Sequence, residues 1–328
     1  MKQIIGMPAA LAGLINVVAS MALTGLPVQA QEYPTKPVRL LVAFPPGGVS
    51  DVVARSVSDK LSIQFQGKSV VVENRPGFNQ LVALEQTARA APDGHTAIIA
   101  SNGITQLPYL VKTLPFDVVR DFAPVTMLTA APFALAVPTT LPVKSIGEFV
   151  VYAKANPGKI NFGMAGVPDM LAGEFFRNVA GFQALTIRYT GGAQALLALV
   201  AGDTHYSTLP IGTLKPQVEA GKLRILAVTS LKRYPGLPNT PSIAESGYAG
   251  FDVGFWYSLF LPAATPKAVI DKLGSTTNLV LKMPDVVKRI TDYDMLAIGG
   301  TPDELAKVVT QELEQWARVV KVAGIKPE

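Results

Sequence analysis

The sequence predicts an α/β protein with mainly parallel sheets, divided into about two domains. Short apolar runs that suit buried strands alternate along the chain with amphipathic helical patterns, an order typical of parallel sheets flanked by helices. Residues 39–44, Arg-Leu-Leu-Val-Ala-Phe, form such a run, which indicates a strand buried on both faces. The chain has 328 residues. Because one domain takes roughly 100 to 200 residues, about two domains are expected.

The predicted elements follow in a regular order. Strands are expected at residues 39–44, 69–73, 96–100 and 123–128, with helices at 51–65 and 80–90 between them. The pattern then restarts, with strands at 133–137, 160–163, 186–189, 206–209 and 224–229 that alternate with helices at 145–155, 170–180, 193–201 and 213–220. A strand at 255–261 and three helices at 266–282, 284–292 and 302–322 complete the chain.

The composition excludes several classes of protein. Hydrophobic residues make up 49% of the chain and charged residues 16%, which is too apolar for a disordered protein. The net charge is +5, but the basic residues are scattered, so no nucleic-acid partner is expected. There is no cysteine and there are only two histidines, His95 and His205. These counts exclude thiolate chemistry and a multi-histidine metal site, and no cofactor is predicted.

The first thirty residues have the layout of a secretory signal peptide. Lys2 is followed by an apolar stretch over residues 4–26 and by Val28-Gln29-Ala30, so that small residues precede a cleavage point. We therefore expect cleavage after Ala30 and a mature protein in the periplasm. The alternative is an uncleaved membrane anchor, since roughly 20 apolar residues span a bilayer. Against it, the stretch is interrupted by Gly13, Asn16, Ser20, Gly25 and Pro27.

Three glycine-containing turns each follow a predicted strand and open a predicted helix, at residues 44–51, 161–166 and 189–193. Glycine lets backbone N–H groups approach a ligand, and the amino end of a helix is partially positive, so such turns can bind anions. They also lie at the carboxyl ends of strands, where open α/β sheets bind ligands. With such turns in both halves, two lobes would face one cleft, which suits a dicarboxylate. The alternative is that the turns are plain connections, with Ser50 and Asp51 capping the first helix.

The sequence has no catalytic motif. It lacks a Gly-x-Ser-x-Gly elbow, a His-Glu-x-x-His helix and a Gly-x-x-x-x-Gly-Lys loop, and its acidic residues show no acid/base pairing. His95 follows a Pro-Asp-Gly turn and is predicted on the surface. His205 lies at a strand start near the expected cleft, either as a ligand contact or as a partly exposed polar residue. A binding protein is therefore favoured over an enzyme.

Ordered motifs along the whole mature chain resemble one known family. They are Tyr-Pro-x-Lys-Pro-Val-Arg-Leu-Leu-Val-x-Phe-Pro-Pro-Gly-Gly at residues 33–48, Val-Val-Glu-Asn-Arg-Pro-Gly at 71–77, Ala-Ala-Pro-Asp-Gly at 90–94, Leu-Pro-Phe-Asp at 114–117, Asp-Phe-Ala-Pro-Val at 121–125, Ala-Gly-Lys-Leu-Arg-Ile-Leu-Ala-Val-Thr-Ser at 220–230 and Leu-Pro-Asn-Thr-Pro-Ser-Ile-Ala-Glu-Ser-Gly at 237–247. The sequence in this way resembles the Bug receptors of tripartite tricarboxylate transporters, the TctC type.

The resemblance implies a two-lobed periplasmic binding protein of the Venus-flytrap kind, each lobe a mostly parallel sheet flanked by helices. Domain one would comprise residues 31–131 plus 254–328 and domain two residues 132–253, with two crossover strands as the hinge. The cleft would hold a small organic acid, mostly through backbone amides and ordered waters. The positions that the resemblance implies as ligand contacts are Phe44, Gly47, Gly48, Ser50, Asp51, Ser101, Asn102, Gly163, Ala165, Gly166, Tyr189, Gly191 and Gly192. The protein would be a monomer that docks on membrane permease subunits.

The sequence departs from the family pattern at several of these places. Residues 78–81, Phe-Asn-Gln-Leu, replace a common Ala-Gly-Gly-Asn run, and Met164 replaces a common serine. A frequent Val-Asp-Leu-Met-Phe-Asp strand becomes Thr-His-Tyr-Ser-Thr-Leu at residues 204–209, so His205 and Leu209 stand where relatives have acids. We include both as candidate contacts. A site without those carboxylates should disfavour the ammonium group of an amino acid and favour a plain aliphatic or aromatic mono- or dicarboxylate.

Two other functions remain open at this point. A ligand-loaded partner of a membrane sensor kinase would have the same cleft, and the sequence does not separate it from a transport receptor. An exported hydrolase or isomerase using this cleft would need a nucleophile–base pair, which the sequence lacks.

Overall fold

A computed structural model describes residues 33–77, 80–164, 167–189, 191–323 and 327, and the expected signal peptide lies outside these residues. The strands are β1 (Val38–Val42), β2 (Val70–Asn74), β3 (Thr96–Ser101), β4 (Phe122–Pro138), β5 (Asn161–Met164), β6 (Leu185–Arg188), β7 (Tyr206–Pro210), β8 (Leu223–Val228), β9 (Gly254–Pro262) and β10 (Leu296–Gly299). The helices are α1 (Val49–Gln64), α2 (Leu81–Ala88), α3 (Gly103–Leu110), α4 (Ile146–Ala155), α5 (Val167–Ala180), α6 (Gly192–Ala201), α7 (Ile211–Glu219), α8 (Lys267–Val280), α9 (Pro284–Thr291) and α10 (Pro302–Ala323).

One long strand joins two halves of a single twisted sheet. The strands lie in the order β2-β1-β3-β9-β4-β7-β5-β6, with β10 and β8 also paired to β4. Strands β1, β2 and β3 are parallel, as are β5, β6 and β7. We call the part built on β1–β3, β9, β10 and the first half of β4 lobe one, and the part built on β5–β8 and the second half of β4 lobe two. The predicted alternation of parallel strands and helices is confirmed.

Strand β4 corrects the expectation of two separate strands at residues 123–128 and 133–137. It is continuous because apolar and β-branched residues run without a turn through Pro132, and the proline falls where β4 changes partner. Pro132 lies opposite Gly254 of β9, whereas Phe133 already lies opposite Pro210 of β7. Helix α3 and strand β10 were not predicted. Strand β9 crosses beside β4, and these two strands connect the lobes.

The buried apolar side chains form separate clusters in the two lobes. In lobe one, Leu40 and Leu259 belong to one cluster and Ile98 and Phe260 to another, on opposite faces of the sheet. In lobe two, the clusters are centred on Phe149, Phe162, Phe176 and Tyr206 and on Leu199, Leu209 and Leu214. The domain boundaries predicted from the sequence stay a prediction, although the clusters divide along similar lines.

Helix α10 contacts both lobes. Leu305 and Val309, in its first half, pack into a lobe-one cluster. Trp316, two turns later, is fully buried in a lobe-two cluster beside Phe176 and Phe251. The carboxyl-terminal helix is therefore anchored on both sides of the hinge.

His95 corrects the expectation of a surface histidine. It is 8% exposed, its ring lies 5.4 Å from that of Tyr33 in an edge-on contact, and its Nε2 accepts a hydrogen bond from the Thr35 N–H at 3.2 Å. The amino-terminal segment covers the turn because Tyr33 packs against it and donates its hydroxyl to the Gly94 carbonyl.

We predict that Gly173→Ala destabilises lobe two. A Cβ atom at Gly173 of α5 would lie 2.0 Å from Cζ of Phe162, a fully buried ring that stacks on Tyr206 at 4.8 Å. Overpacking of a tight core costs about 1–3 kcal/mol, which exceeds the gain of up to about 1 kcal/mol from replacing a helical glycine. Urea unfolding should show a loss of about 2 kcal/mol. Gly147→Ala in α4 is the control, because its nearest neighbour would be 3.9 Å away. Equal stability of the two variants would contradict the prediction.

Candidate functional site

Five helices begin where strands of the two lobes end. Helices α1 and α3 follow β1 and β3 in lobe one, and α5, α6 and α7 follow β5, β6 and β7 in lobe two. The side chains of the described N-cap residues make no capping hydrogen bond at α1, α3, α6 or α7. Of the other helices, Ser145 caps α4 and Thr301 caps α10, whereas α2, α8 and α9 also have no side-chain cap. Uncapped N–H groups at helix amino ends need water or a ligand as partner and favour an anion.

Asp51 organises the turn between β1 and α1. Its Oδ2 accepts hydrogen bonds from the Gly47 N–H at 3.0 Å and from Arg55 Nε at 3.0 Å. Its Oδ1 accepts from Asn74 Nδ2 at 2.9 Å, and the same nitrogen donates to the Phe44 carbonyl at 3.1 Å. Both carboxylate oxygens are therefore engaged by the protein, so Asp51 acts as a brace for the turn.

The ionisation of Asp51 agrees with this role. Burial alone would raise its pKa, but the hydrogen bonds from Arg55, the Gly47 N–H and Asn74 outweigh burial and lower the pKa to about 2. The carboxylate therefore stays charged at neutral pH. Around it, Gly47 adopts φ +83° and is exposed together with Gly48, whereas Ser50 is buried in the first turn of α1.

An aromatic row runs from this turn to the hinge. The rings of Phe44 and Tyr257 lie 6.0 Å apart, those of Tyr257 and Phe255 lie 6.5 Å apart, and those of Phe255 and Phe133 lie 5.3 Å apart. Burial raises the pKa of Tyr257 to about 12, so its hydroxyl is neutral. The row supplies an apolar surface beside the helix amino ends. The sequence analysis identified only Phe44 of this row.

The turn between β3 and α3 is fixed to the hinge. Asn102 donates its N–H to the Trp256 carbonyl at 3.2 Å and its Nδ2 to the Gly254 carbonyl at 3.0 Å. The Ser101 N–H donates to Oε1 of Gln80 at 2.7 Å, and Ser101 Oγ accepts from the Gly103 N–H at 3.2 Å. Ser101 and Asn102 therefore sit on the hinge side of lobe one, as does Gln80, which the sequence analysis did not select.

In lobe two, the predicted glycine positions lie at the carboxyl ends of β5 and β6. Gly163 is buried against lobe-two polar side chains, and a Cβ atom there would lie 2.9 Å from Ser207 Oγ and 3.0 Å from Thr204 Oγ1. The Tyr189 N–H donates to the Met164 carbonyl at 2.9 Å, which holds the two strand ends together. Gly191 and Gly192 then open α6. Two further candidates, Ala165 and Gly166, lie outside the described residues.

His205 and Leu209 are placed differently from the other candidates. The Nδ1 atom of His205 accepts a hydrogen bond from the Asn161 N–H at 3.2 Å, at the amino ends of β5 and β7, whereas the glycine turns lie at the carboxyl ends. Burial lowers the pKa of His205. The side chain of Leu209 is 1% exposed and packs with Leu199 and Leu214. The structure therefore places His205 at the sheet edge opposite the turns, whereas Leu209 lies near the carboxyl end of β7 in a cluster against which Tyr189 also packs.

A cavity of about 1610 Å³ lies at the hinge and shares only Asn102 with the predicted contacts. Its walls come from α5, α10, β4, β9 and residues 230–235. Glu312 of α10 lines it and accepts hydrogen bonds from Trp256 Nε1 at 2.7 Å and from Thr105 Oγ1 at 2.8 Å. Burial raises the pKa of Glu312 to about 7 and also raises that of Asp252, a second acid in the wall.

Metal binding and membrane spanning find no support in the part of the chain that the structure describes. There, no three histidine, aspartate or glutamate side chains are grouped so that they could hold a metal ion. Each helix within the described ranges is too short or too polar to cross a membrane.

The sequence matches the family model described as the tripartite tricarboxylate transporter family receptor, TctC, over residues 53–325. A curated relative is the UPF0065 protein in the tcbD-tcbE intergenic region of Pseudomonas sp. strain P51. It is 34% identical over 307 residues, which cover 92% of this chain and 91% of the relative.

Two solved structures are similar along nearly the whole chain. R. palustris Rpa4515 with adipate is 32% identical, has a TM-score of 0.73, and the match covers 90% of this chain and 100% of that one. MatC (Rpa3494) from Rhodopseudomonas palustris with bound malate is 29% identical, has a TM-score of 0.67, and the match covers 88% and 100%.

Two lobes on one twisted sheet, joined by β4 and β9, define a periplasmic binding protein, and the predicted fold class is confirmed. The chain belongs to the TctC family of tripartite tricarboxylate transporter receptors. This is a family of substrate-binding receptors and not of enzymes, so the resemblance seen in the sequence and the expectation of a non-enzyme are both confirmed.

Proposed function

We propose that this receptor captures a small dicarboxylate between its lobes and delivers it to the membrane permease subunits of a tripartite tricarboxylate transporter. The observation that carries the proposal is the set of uncapped helix amino ends in both lobes, beside an apolar aromatic row. Helix amino ends suit carboxylates, and the aromatic row suits an aliphatic body between them. The adipate of Rpa4515 and the malate of MatC support the same ligand class.

The contacts in this proposal come from the turns rather than from charged side chains. We assign the ligand to the turns that contain Phe44, Gly48, Ser50, Ser101, Asn102, Gly163, Ala165, Gly166, Tyr189, Gly191 and Gly192. Gly47 and Asp51 brace the first turn, because the N–H of Gly47 is bonded to Asp51. His205 and Leu209 are left out of the contact set.

Plain carboxylates should bind better than amino acids. Two acids lie at the assigned turns, Asp51 and Asp169, the latter in the first turn of α5. Both oxygens of Asp51 are engaged, and Asp169 is buried and also takes part in an interaction with the protein. An ammonium group in the cleft would therefore lack a free carboxylate, and a buried unpaired charge is costly.

The proposed place of action is the periplasm, after cleavage of the signal peptide behind Ala30. Lobe one would comprise residues 31–131 plus 254–328 and lobe two residues 132–253. Amino-terminal sequencing of exported material should give Gln31 as the first residue, and a start at Met1 would overturn this part of the proposal.

A thermal-shift screen tests the ligand class. We expect malate, succinate or adipate to raise the melting temperature, since a ligand at 100 times its dissociation constant adds about 2.7 kcal/mol to the free energy of unfolding. Aspartate is the matched control, because it is a dicarboxylate of malate's size that carries an ammonium group. Stabilisation by aspartate with none by the plain acids would refute the proposed ligand class.

A further inference from the structure

Gln80 has an unusual backbone conformation for its residue type. It precedes α2 with φ 77° and ψ −10°, in the left-handed region, which non-glycine residues other than asparagine and aspartate seldom adopt. The residue is nonetheless 1% exposed, so a long polar side chain is held inside the protein at a strained position. Such strain persists where surrounding contacts fix the residue, and it is frequent at ligand sites.

The orientation of the Gln80 carboxamide follows from one hydrogen bond. Its Oε1 accepts from the Ser101 N–H at 2.7 Å. An N–H donor needs an acceptor, so the oxygen of the amide faces Ser101 and the NH2 group points away from it. The Nε2 atom is buried and has no hydrogen-bond partner among the residues that the structure describes. A buried donor without a partner costs about 1–3 kcal/mol, so a partner supplied by a ligand would recover this energy.

The free NH2 group lies at the amino end of α3. Its nitrogen is 2.1 Å from where a Cβ atom of Gly103 would be, and Gly103 is the first residue of that helix. Only glycine at position 103 leaves room for the carboxamide. The side-chain donor of Gln80 therefore lies at the amino end of α3, in the turn that holds Ser101 and Asn102, where the Asn102 side chain makes no capping hydrogen bond.

We propose that Gln80 is a specificity-determining residue of the ligand site and donates its Nε2 hydrogen to a carboxylate oxygen at the amino end of α3. This inference rests on the proposed function. Because Nε2 is covered by neighbouring atoms in this structure, the contact requires a small shift of the turn, of the kind that accompanies lobe movement in hinged binding proteins. Gln80 thereby selects ligands that place an oxygen acceptor against α3.

Calorimetric titration with malate, succinate and adipate tests the role of Gln80. Gln80→Glu keeps an oxygen for the Ser101 N–H but puts a second oxygen in place of the donor, so the tightest of the three acids should bind about 100-fold more weakly. Gln80→Gly suits the left-handed backbone and removes the carboxamide, and about 10-fold weaker binding is expected. The glycine variant answers the question if the glutamate variant does not fold.

Gln106→Glu is the matched control. Gln106 lies in α3, one helical turn after Gly103, and is 1% exposed. Its Nε2 is also buried without a partner among the described residues. The substitution therefore makes the same change from amide to carboxylate at a second buried position. Its affinity should stay within about threefold of the wild type. Unchanged affinity of both Gln80 variants would overturn the inference alone. Failure of the wild type to bind any of the three acids would overturn the proposed function and this inference with it.

Discussion

Asp51→Ala is expected to weaken dicarboxylate binding by about 100-fold or more. The substitution removes the acceptor of the Gly47 N–H, Arg55 and Asn74, so the turn of residues 44–48 loses its brace and the amino end of α1 is no longer held in a binding geometry. Small misplacements of pre-organised groups cost large factors in binding and catalysis. The measurement is calorimetric titration with malate, succinate and adipate.

The same substitution should also destabilise the protein. The pKa of Asp51 falls from 3.8 to about 2, which corresponds to about 2 kcal/mol of stability that is present above pH 4 and lost as the pH falls toward 2. Asp59→Ala in the same helix is the control, because Asp59 is exposed, and it should bind like the wild type. Asp51→Asn keeps the shape of the side chain but removes its charge. Its NH2 group would replace one carboxylate oxygen and would face a donor, from Gly47 and Arg55 or from Asn74. Normal affinity of Asp51→Ala would show that the brace is dispensable.

Glu312→Gln is expected to remove a large pH dependence of stability. The folded protein holds the Glu312 proton up to a pKa of about 7, against 4.5 for an ordinary glutamate. Between these values the folded state binds a proton that the unfolded state has lost, so the free energy of unfolding falls as the pH rises from 4.5 to 7 and is then constant. The shift corresponds to about 3 kcal/mol. Urea unfolding at several pH values measures it.

The glutamine variant should be more stable than the wild type at pH 8 and nearly equal at pH 4.5. A glutamine oxygen can still accept from Trp256, and its nitrogen can donate to Thr105 Oγ1, whose single hydrogen can then point to the Asn102 carbonyl instead of to residue 312. Burial also raises the pKa of Asp252, so a smaller dependence of the same sign should remain. Glu314→Gln, at an exposed position of the same helix, is the control. An unchanged pH dependence in Glu312→Gln would refute the buried-acid explanation.

Local patterns in the sequence were enough to predict most of the fold. The apolar run of β1 and the alternating pattern of α1 depend on residues close together in the chain, and both elements formed where expected. Helix α3 was missed because it begins with Gly103 and contains Pro108, both poor helix formers, and it is stabilised by packing of Ile104 and Leu107 in the lobe-one core. Strand β10 has four residues, and its pairing with β4 is a tertiary contact that no local pattern reveals.

The candidate site was predictable to the extent that it consists of turns. Glycine turns after strands are visible in the sequence, but their supports come from distant residues. Asn74 reaches Asp51 across 23 positions, and Thr105 meets Glu312 across 207. His205 was expected near the cleft, at a strand start and in the place of an acid in the family pattern. In a parallel sheet, however, the start of a strand lies at the edge opposite the ligand turns, so strand direction would have been the better guide.

The placement of helix α10 restricts how the lobes can move. A receptor with two connecting strands can both bend and twist about its hinge. Here Trp316 fixes the end of α10 in lobe two while Leu305 and Val309 hold its start in lobe one, so the helix acts as a third link beside β4 and β9. A third link removes directions of relative motion that two strands alone would allow. We therefore expect the lobes to move through a smaller range than two connecting strands would permit.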